Sequence, residues 1–276
     1  MTATASPDAP RWLERFKALY PPMAVAAGVV GLWYLISTFA LSDNQGFLLP
    51  PPHEVVQSGF FDSGHLSELM EGLLTTTIVT LIGLAISVPL GMSIAVLMSR
   101  FNWFETTFFP YAIVIQATPI IAIVPLIGVW MGFSFNARVL VVIIISIFPV
   151  ITNTLFGLKS VQRNFLDLFA LHEATGLTRL RKLMLPAATP SIFTGFRIAA
   201  GLGVVGAIVG EFFFKGGQEK GIGRLISRYQ NQLQTKQLIA ATILSSLLGV
   251  LLFSAVGFAS DRLTRQWHSP RRDGAR

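Results

Sequence analysis

The sequence predicts an all-α membrane protein with about six transmembrane helices, an N-terminal interfacial helix, and a hairpin of two short helices on the cytoplasmic side. Three observations carry that expectation. Hydrophobic residues make up 52% of the 276 positions against 13% charged, with a mean hydropathy of +0.61, a balance foreign to soluble domains. Six apolar stretches reach the roughly 20 residues needed to cross about 30 Å of hydrocarbon. The basic residues gather at the ends of those stretches, as they do beside anionic headgroups.

In chain order, Arg11 to Tyr20 places Trp12, Phe16 and Leu19 on one side of a helix and Arg11, Glu14, Arg15 and Lys17 mostly on the other. That is the pattern of a helix lying flat at the interface. The apolar run behind it is longer than a signal-peptide core, so an uncleaved helix is expected. The spans then fall at Pro22–Leu41, Leu73–Met98, Thr107–Trp130, Val139–Leu158, Pro190–Phe213 and Leu238–Ser260. Between the first two, three consecutive prolines stop any helix and allow a short new one to begin near His53.

Orientation follows from the basic residues, which are retained inside. The loop from Ser42 to Gly72 has no Lys or Arg but five carboxylates, Asp43, Glu54, Asp62, Glu68 and Glu71, and is placed outside. Both termini are then cytoplasmic, with fifteen of the 21 Lys and Arg inside and six outside. Five of those six fall in the loop from Lys215 to Lys236, the one feature that strains the topology. The organisation is a cytoplasmic N-terminus over 1–21, a single transmembrane domain over 22–260 with its hairpin at 162–186, and a basic cytoplasmic tail over 261–276.

Several chemistries drop out. There is no cysteine, and the four histidines form no His-x-x-x-His pair, so thiol chemistry is excluded and a metal site is not expected. No Gly-Lys-Ser/Thr phosphate loop occurs, and no His, Asp or Glu cluster suggests a catalytic centre. The net charge of +7 sits at span ends, which fits membrane lipids rather than nucleic acid. Neither a catalytic residue nor a cofactor is expected in this chain.

The third span carries Pro110, Pro119 and Pro125, which remove backbone donors and break the helix. Lipid tolerates a break only where protein or a water-filled cavity satisfies the freed carbonyls, so this span is expected to line a pathway. Gln116, Thr118 and Pro119 at the break, and Asn153 between Thr152 and Thr154, either face a passing solute or hydrogen-bond between helices. Gly201, Gly203, Gly206 and Gly210 suggest close helix approach, and Arg197 lies near enough to its span's end to snorkel inward. Glu211 either contributes to an outer gate or a docking surface for a partner, or pairs with Lys215 at i+4.

Between the fourth and fifth spans, Phe165, Leu168, Phe169 and His172 share one helical face. A second stretch, with Leu177, Leu180 and Met184 opposite Arg179, Arg181 and Lys182, runs to Pro186. The pair reads either as a docking knob for a partner or as a hairpin resting on headgroups.

This segment resembles the cytoplasmic coupling motif of ABC importer permeases, in which Glu-Ala-Ala-x-x-x-Gly precedes a Leu-Pro. Anchored on Leu185-Pro186, the motif's glycine falls at Glu173 and its glutamate at Asp167, two departures. Gly176, three residues later, is a candidate to take over the turn. The likeness extends from Leu49 to Ser260 through "IQATPIIAIVPLIGVWMGF", "FPVITNTLFGLKSV" and "LPAATPSIFTGFRIAAG". These resemble the permease branch serving nitrate, bicarbonate, taurine, sulfonates and pyrimidine-type vitamin precursors.

The resemblance implies the pore subunit of a binding-protein-dependent importer of type I fold in a bacterial inner membrane. It implies a homodimer of permeases, a dimer of ATP-binding cassette ATPases holding the ATP and Mg, and a periplasmic or lipid-anchored solute-binding protein. By position in the motif, Phe165, Asp167, Leu168, Phe169, His172, Glu173, Ala174, Thr175 and Gly176 would contact the ATPase, while Gln116, Thr118, Pro119, Asn153 and Glu211 would border the pathway. A gradient-driven secondary transporter is the rival, but it usually carries carboxylates near the membrane midplane, and no Asp or Glu lies mid-span here.

Overall fold

The computed structural model describes residues 11–40, 46–214 and 220–264, all in helices or short connections. In chain order the helices are α1 (Arg11–Leu35), α2 (Pro52–Val56), α3 (Ser63–Arg100), α4 (Asn102–Ala117), α5 (Ile120–Met131), α6 (Phe135–Lys159), α7 (Arg163–Leu171), α8 (Gly176–Arg179), α9 (Leu185–Phe213), α10 (Ile222–Asn231) and α11 (Thr235–Thr264). Five helical stretches are long and apolar enough to cross a membrane, or six if the bent pair α4 and α5 counts as one.

Geometry decides that α4 and α5 cross once. They meet at 96° across Thr118 and Pro119. Glu105 in the first turn of α4 pairs with Lys159 at the end of α6, whereas Phe133, just beyond α5, packs edge-on against Phe214 at the far end of α9. The two ends of the pair therefore lie at opposite ends of the bundle. The third span is a broken span rather than a straight one, and only one of its three prolines breaks it: Pro110 and Pro125 are held inside α4 and α5.

Helix α6 is the centre of the bundle, packed between α3 and α9. In lipid no hydrophobic gain separates one apolar contact from another, so close backbone approach through small residues drives association. A Cβ on Gly195 would fall 2.8 Å from both the Pro149 carbonyl oxygen and the Asn153 Cβ, and one on Gly206 would meet the Val142 Cα at 3.2 Å. Gly203 and Gly210 also face neighbouring helices, but Gly201 has open space beside it and takes no part in the seam. Ser146 donates to Ser87 across the α3–α6 contact at 3.0 Å.

Two expectations about helix limits are corrected. Pro21 and Pro22 lie inside a continuous α1, so the N-terminal amphipathic turn and the first span are one helix; the side chains of residues 11–19 lie outside the described set. The second half of the cytoplasmic hairpin also does not end at Pro186: α8 runs through a wide π turn at Leu180–Met184 straight into α9. Pro186 cannot donate to the Lys182 carbonyl, and the wider i→i+5 turn at that point accommodates the missing bond.

Helix α1 stands apart, with none of its apolar window buried within the chain. Two contacts tie it down: Trp33 Nε1 donates to the Pro50 carbonyl at 3.0 Å, and the Tyr34 hydroxyl meets His53 Nδ1 at 3.0 Å with the rings stacked.

Candidate functional site

The sequence-predicted site residues fall in three regions: the hairpin of α7 and α8, the break between α4 and α5, and a polar knot at the C-terminal end of α9. In the hairpin, α7 buries no residue within the chain. Phe165 is 51% exposed and Leu168 48%, with Leu171 barer still, while Phe169 is half-buried and His172 folds its Nδ1 back to the Leu168 carbonyl at 2.9 Å. Of the apolar face expected from the spacing, Phe165 and Leu168 are exposed among the described residues and Phe169 is half-buried.

Helix α7 closes in a Schellman motif. The Glu173 amide donates to the Ala170 carbonyl at 2.9 Å and the Ala174 amide to the Phe169 carbonyl at 3.0 Å. That motif puts its C′ residue in the left-handed region, where glycine is preferred, and Glu173 sits there with φ +49°. The turn therefore stays at position 173 despite the missing glycine, and Gly176 does not take it over. Gly176 instead opens α8, behind the Thr175 side chain that caps it, and lies so close under the Arg100 guanidinium that a Cβ would overlap it. Asp167 and Ala174 complete the projecting stretch.

At the break, Thr118 caps α4: its amide and its hydroxyl both donate to the Val114 carbonyl, at 3.0 and 2.8 Å. Pro119 leaves the Ile115 carbonyl without its helical donor. Gln116, Thr118 and Pro119 line a cavity of about 380 Å³ together with Ile144, Ile145 and Phe148 of α6 and Leu202 and Val205 of α9. No charged residue lines it. Asn153 is not among the lining residues; its Nδ2 donates to the Pro149 carbonyl of its own helix at 2.8 Å, at the tight crossing with Gly195.

Glu211 lies elsewhere again, 3% exposed near the C-terminal end of α9. Its Oε2 accepts from the Thr76 hydroxyl at 2.8 Å and from the Gly223 amide at 3.0 Å. Thr76 in turn accepts from the Ile222 amide at 2.9 Å. Arg138, also buried, attracts the carboxyl electrostatically and donates to the Lys220 carbonyl at 3.3 Å. A Cβ on Gly221 would overlap the Glu211 carboxyl, and one on Gly223 the Ile208 carbonyl, so both glycines are required by close approach. The alternative partner Lys215 lies outside the described residues.

This knot fastens α10, an amphipathic helix whose Ile222, Leu225 and Tyr229 are buried against α2, α3 and α11. Its polar face meets the carboxylates of the first loop and of α3. Arg228 grips Glu68 with both guanidinium arms at 2.5 Å, Lys220 pairs with Glu71, and Lys236 pairs with Glu54 at 2.8 Å. The hydrogen bonds from Glu68 hold the Arg228 guanidinium even higher than usual in pKa, and burial raises that of the Tyr229 hydroxyl. The acidic first loop and the basic fifth loop are joined by these three ion pairs. Sequence reasoning missed α10; its signal was the spacing of Ile222, Leu225, Ile226 and Tyr229 after a glycine-rich run.

Residues 87–266 match the family described as "Binding-protein-dependent transport system inner membrane component". The chain belongs to that family. Among its relatives, the formylaminopyrimidine transport permease protein ThiX of Halalkalibacterium halodurans is 34% identical over 213 residues, 77% of this chain and 83% of that protein. The riboflavin transport system permease protein RibX of Chloroflexus aurantiacus is 28% identical, covering 94% of each chain. The putative aliphatic sulfonates transport permease protein SsuC of Escherichia coli is 29% identical, covering 87% of this chain and 88% of that one. The fold is similar to that of a chain of the inward-facing MetNI methionine ABC transporter, with TM-score 0.53 and 18% identity over 74% of this chain and 96% of that one. This permease is thus an inner-membrane component of a binding-protein-dependent transport system, and the all-α fold expected from the sequence is the one found.

Proposed function

We propose that this permease carries a neutral, pyrimidine-type heterocycle inward, driven by a separate ATP-binding cassette ATPase that docks on α7. The observation that carries the solute class is the uncharged cavity at the broken span, where the Gln116 amide and Thr118 hydroxyl stand among apolar walls. An amide and a hydroxyl suit the donors and acceptors of a heterocycle rim. A bicarbonate, nitrate or sulfonate anion would find no cation there to offset its desolvation. The relatives that transport formylaminopyrimidine and riboflavin support the same class.

The docking role rests on the bare face of Phe165, Leu168 and Leu171, which projects from the end of the bundle marked by Glu105 and Lys159. In the proposed assembly two copies of the chain form the pore with both termini cytoplasmic. ATP and Mg reside on the ATPase dimer, and a periplasmic or lipid-anchored binding protein delivers the solute to the outer face. Asp167, Phe169, His172, Glu173, Ala174, Thr175 and Gly176 complete the contact, and ATPase closure moves the hairpin and rocks the helices. Nothing in this chain performs covalent chemistry in that cycle.

The test is co-purification of the tagged permease with its ATPase in mild detergent, followed by uptake of labelled formylaminopyrimidine into proteoliposomes supplied with the binding protein. Phe169→Ala with Leu168→Ala should release the ATPase, and Gln116→Leu should lower uptake while leaving the complex intact. Uptake that persists without ATP and collapses with an uncoupler would instead favour gradient-driven transport. Uptake of a sulfonate but not the pyrimidine would overturn the solute class.

A further inference from the structure

A second cavity, of about 310 Å³, lies at the cytoplasmic end of α3, between its last turn and the α8 segment of the hairpin. Val96, Ser99, Phe101, Gly176, Leu180 and Met184 line it together with two arginines, Arg100 at the end of α3 and Arg179 at the end of α8. No carboxylate lines it, and among the described residues neither arginine has an ion-pair partner. The setting contrasts with the outer surface, where Lys220, Arg228 and Lys236 each face a carboxylate. Two like charges sharing a cavity repel unless an anion sits between them, and paired guanidinium forks fit the oxygens of a phosphate group better than any other common anion.

The rim points to where that phosphate comes from. Leu97, Trp103 and Leu177, each next to or near a lining residue in sequence, and Phe101 of the lining itself are exposed large apolar side chains. At the end of a spanning helix such residues face acyl chains, and a tryptophan marks the headgroup level. Basic pockets between spanning helices on the cytoplasmic side are suited to anionic headgroups.

We propose that Arg100 and Arg179 form a phosphate-group site that takes the headgroup of an anionic phospholipid, wedged between α3 and the coupling hairpin. Arg100 lies against Gly176, the residue that opens α8, so a bound headgroup ties the hairpin to the membrane-embedded body. The lipid becomes a structural part of the lever through which α7 moves α9.

The site is tested on the permease–ATPase complex purified into nanodiscs of phosphatidylcholine with a minor share of phosphatidylglycerol, counting retained phosphatidylglycerol by native mass spectrometry. Because both leaflets carry the same mixture, the result does not depend on the orientation proposed above, and ATPase co-purification is read separately in the same sample. Arg100→Gln and Arg179→Gln should each lower retention of the tightly held lipid by about fivefold. Arg262→Gln, an exposed arginine stacked on Phe258 at the end of α11, should leave it unchanged. Arg100→Lys keeps the charge without the fork and should fall between, which also covers the case in which the glutamine variants misfold. Retention that inorganic phosphate displaces would support the site with free phosphate as its ligand. Equal retention by wild type, both glutamine variants and the Arg262 control would overturn the proposal.

Discussion

Thr76 and Glu211, 135 positions apart in the chain, meet at 2.8 Å in the buried end of the bundle where α9 closes. The contact joins α3 to α9, and because Thr76 also accepts from the Ile222 amide, one hydroxyl fastens three helices. Thr76→Val keeps the shape and removes the hydroxyl, leaving the Ile222 amide without its acceptor and Glu211 with one donor fewer. Unsatisfied buried polar groups cost about 1–3 kcal/mol, so the variant should lower the thermal midpoint of the detergent-solubilised permease, and Thr76→Ser should restore most of it. An unchanged midpoint in Thr76→Val would mean that the knot does not hold that end together.

Gly223 is the second constraint on the same knot. A Cβ there would overlap the Ile208 carbonyl oxygen and crowd the Glu211 Cβ at 2.9 Å, and backbone cannot yield as a flexible side chain can. Gly223→Ala is expected to cost about 1–3 kcal/mol, the range for overpacking, and to loosen α10. Limited proteolysis from the outer face should cut the variant near Arg224 or Arg228 faster than wild type.

The Arg228–Glu68 pair is partly exposed, so its bidentate geometry is offset by solvent screening, and about 0.5–1 kcal/mol is expected from it. Glu68→Arg should destabilise by removing the partner and adding a like charge. The exchange Glu68→Arg with Arg228→Glu should recover part of the loss. The interaction measured across that double-mutant cycle should shrink as salt is raised; a salt-independent value would argue against an ion pair as its source.

Glu173 holds a conformation that costs a non-glycine residue about 1–2 kcal/mol, partly offset because glycine loses more chain entropy on folding. Glu173→Gly should therefore stabilise the hairpin by about 0.5–1 kcal/mol, while a β-branched residue such as valine should destabilise it. Hydrogen exchange at the Ala174 amide, which closes the Schellman motif onto Phe169, reads this locally and should slow in the glycine variant.

Much of the architecture was legible because lipid leaves so few options. A chain in hydrocarbon must satisfy its backbone internally, so apolar length located the spans and proline content located the broken one. The hairpin's apolar face followed from the spacing of Phe165, Leu168 and Phe169. Which of three prolines breaks the span was not legible. Pro110 and Pro125 sit in helices that tolerate them, and only at Pro119 does the chain turn by 96°. Glu173 likewise showed the missing glycine but not that the backbone keeps the left-handed turn regardless.

The sequence by itself determined the all-α membrane class, the stretches long enough to span and the acidic character of the first loop, because these depend on composition and on periodicity along a single helix. Tertiary structure decided the meaning of the charges. The basic residues between Lys220 and Lys236 looked misplaced outside until they met Glu54, Glu68 and Glu71 from a loop more than 140 residues away. The enclosure of Glu211 by Thr76 and Gly223 was likewise invisible along the chain. A pairing between distant segments leaves no periodic trace in either one, so the folded bundle alone reveals it.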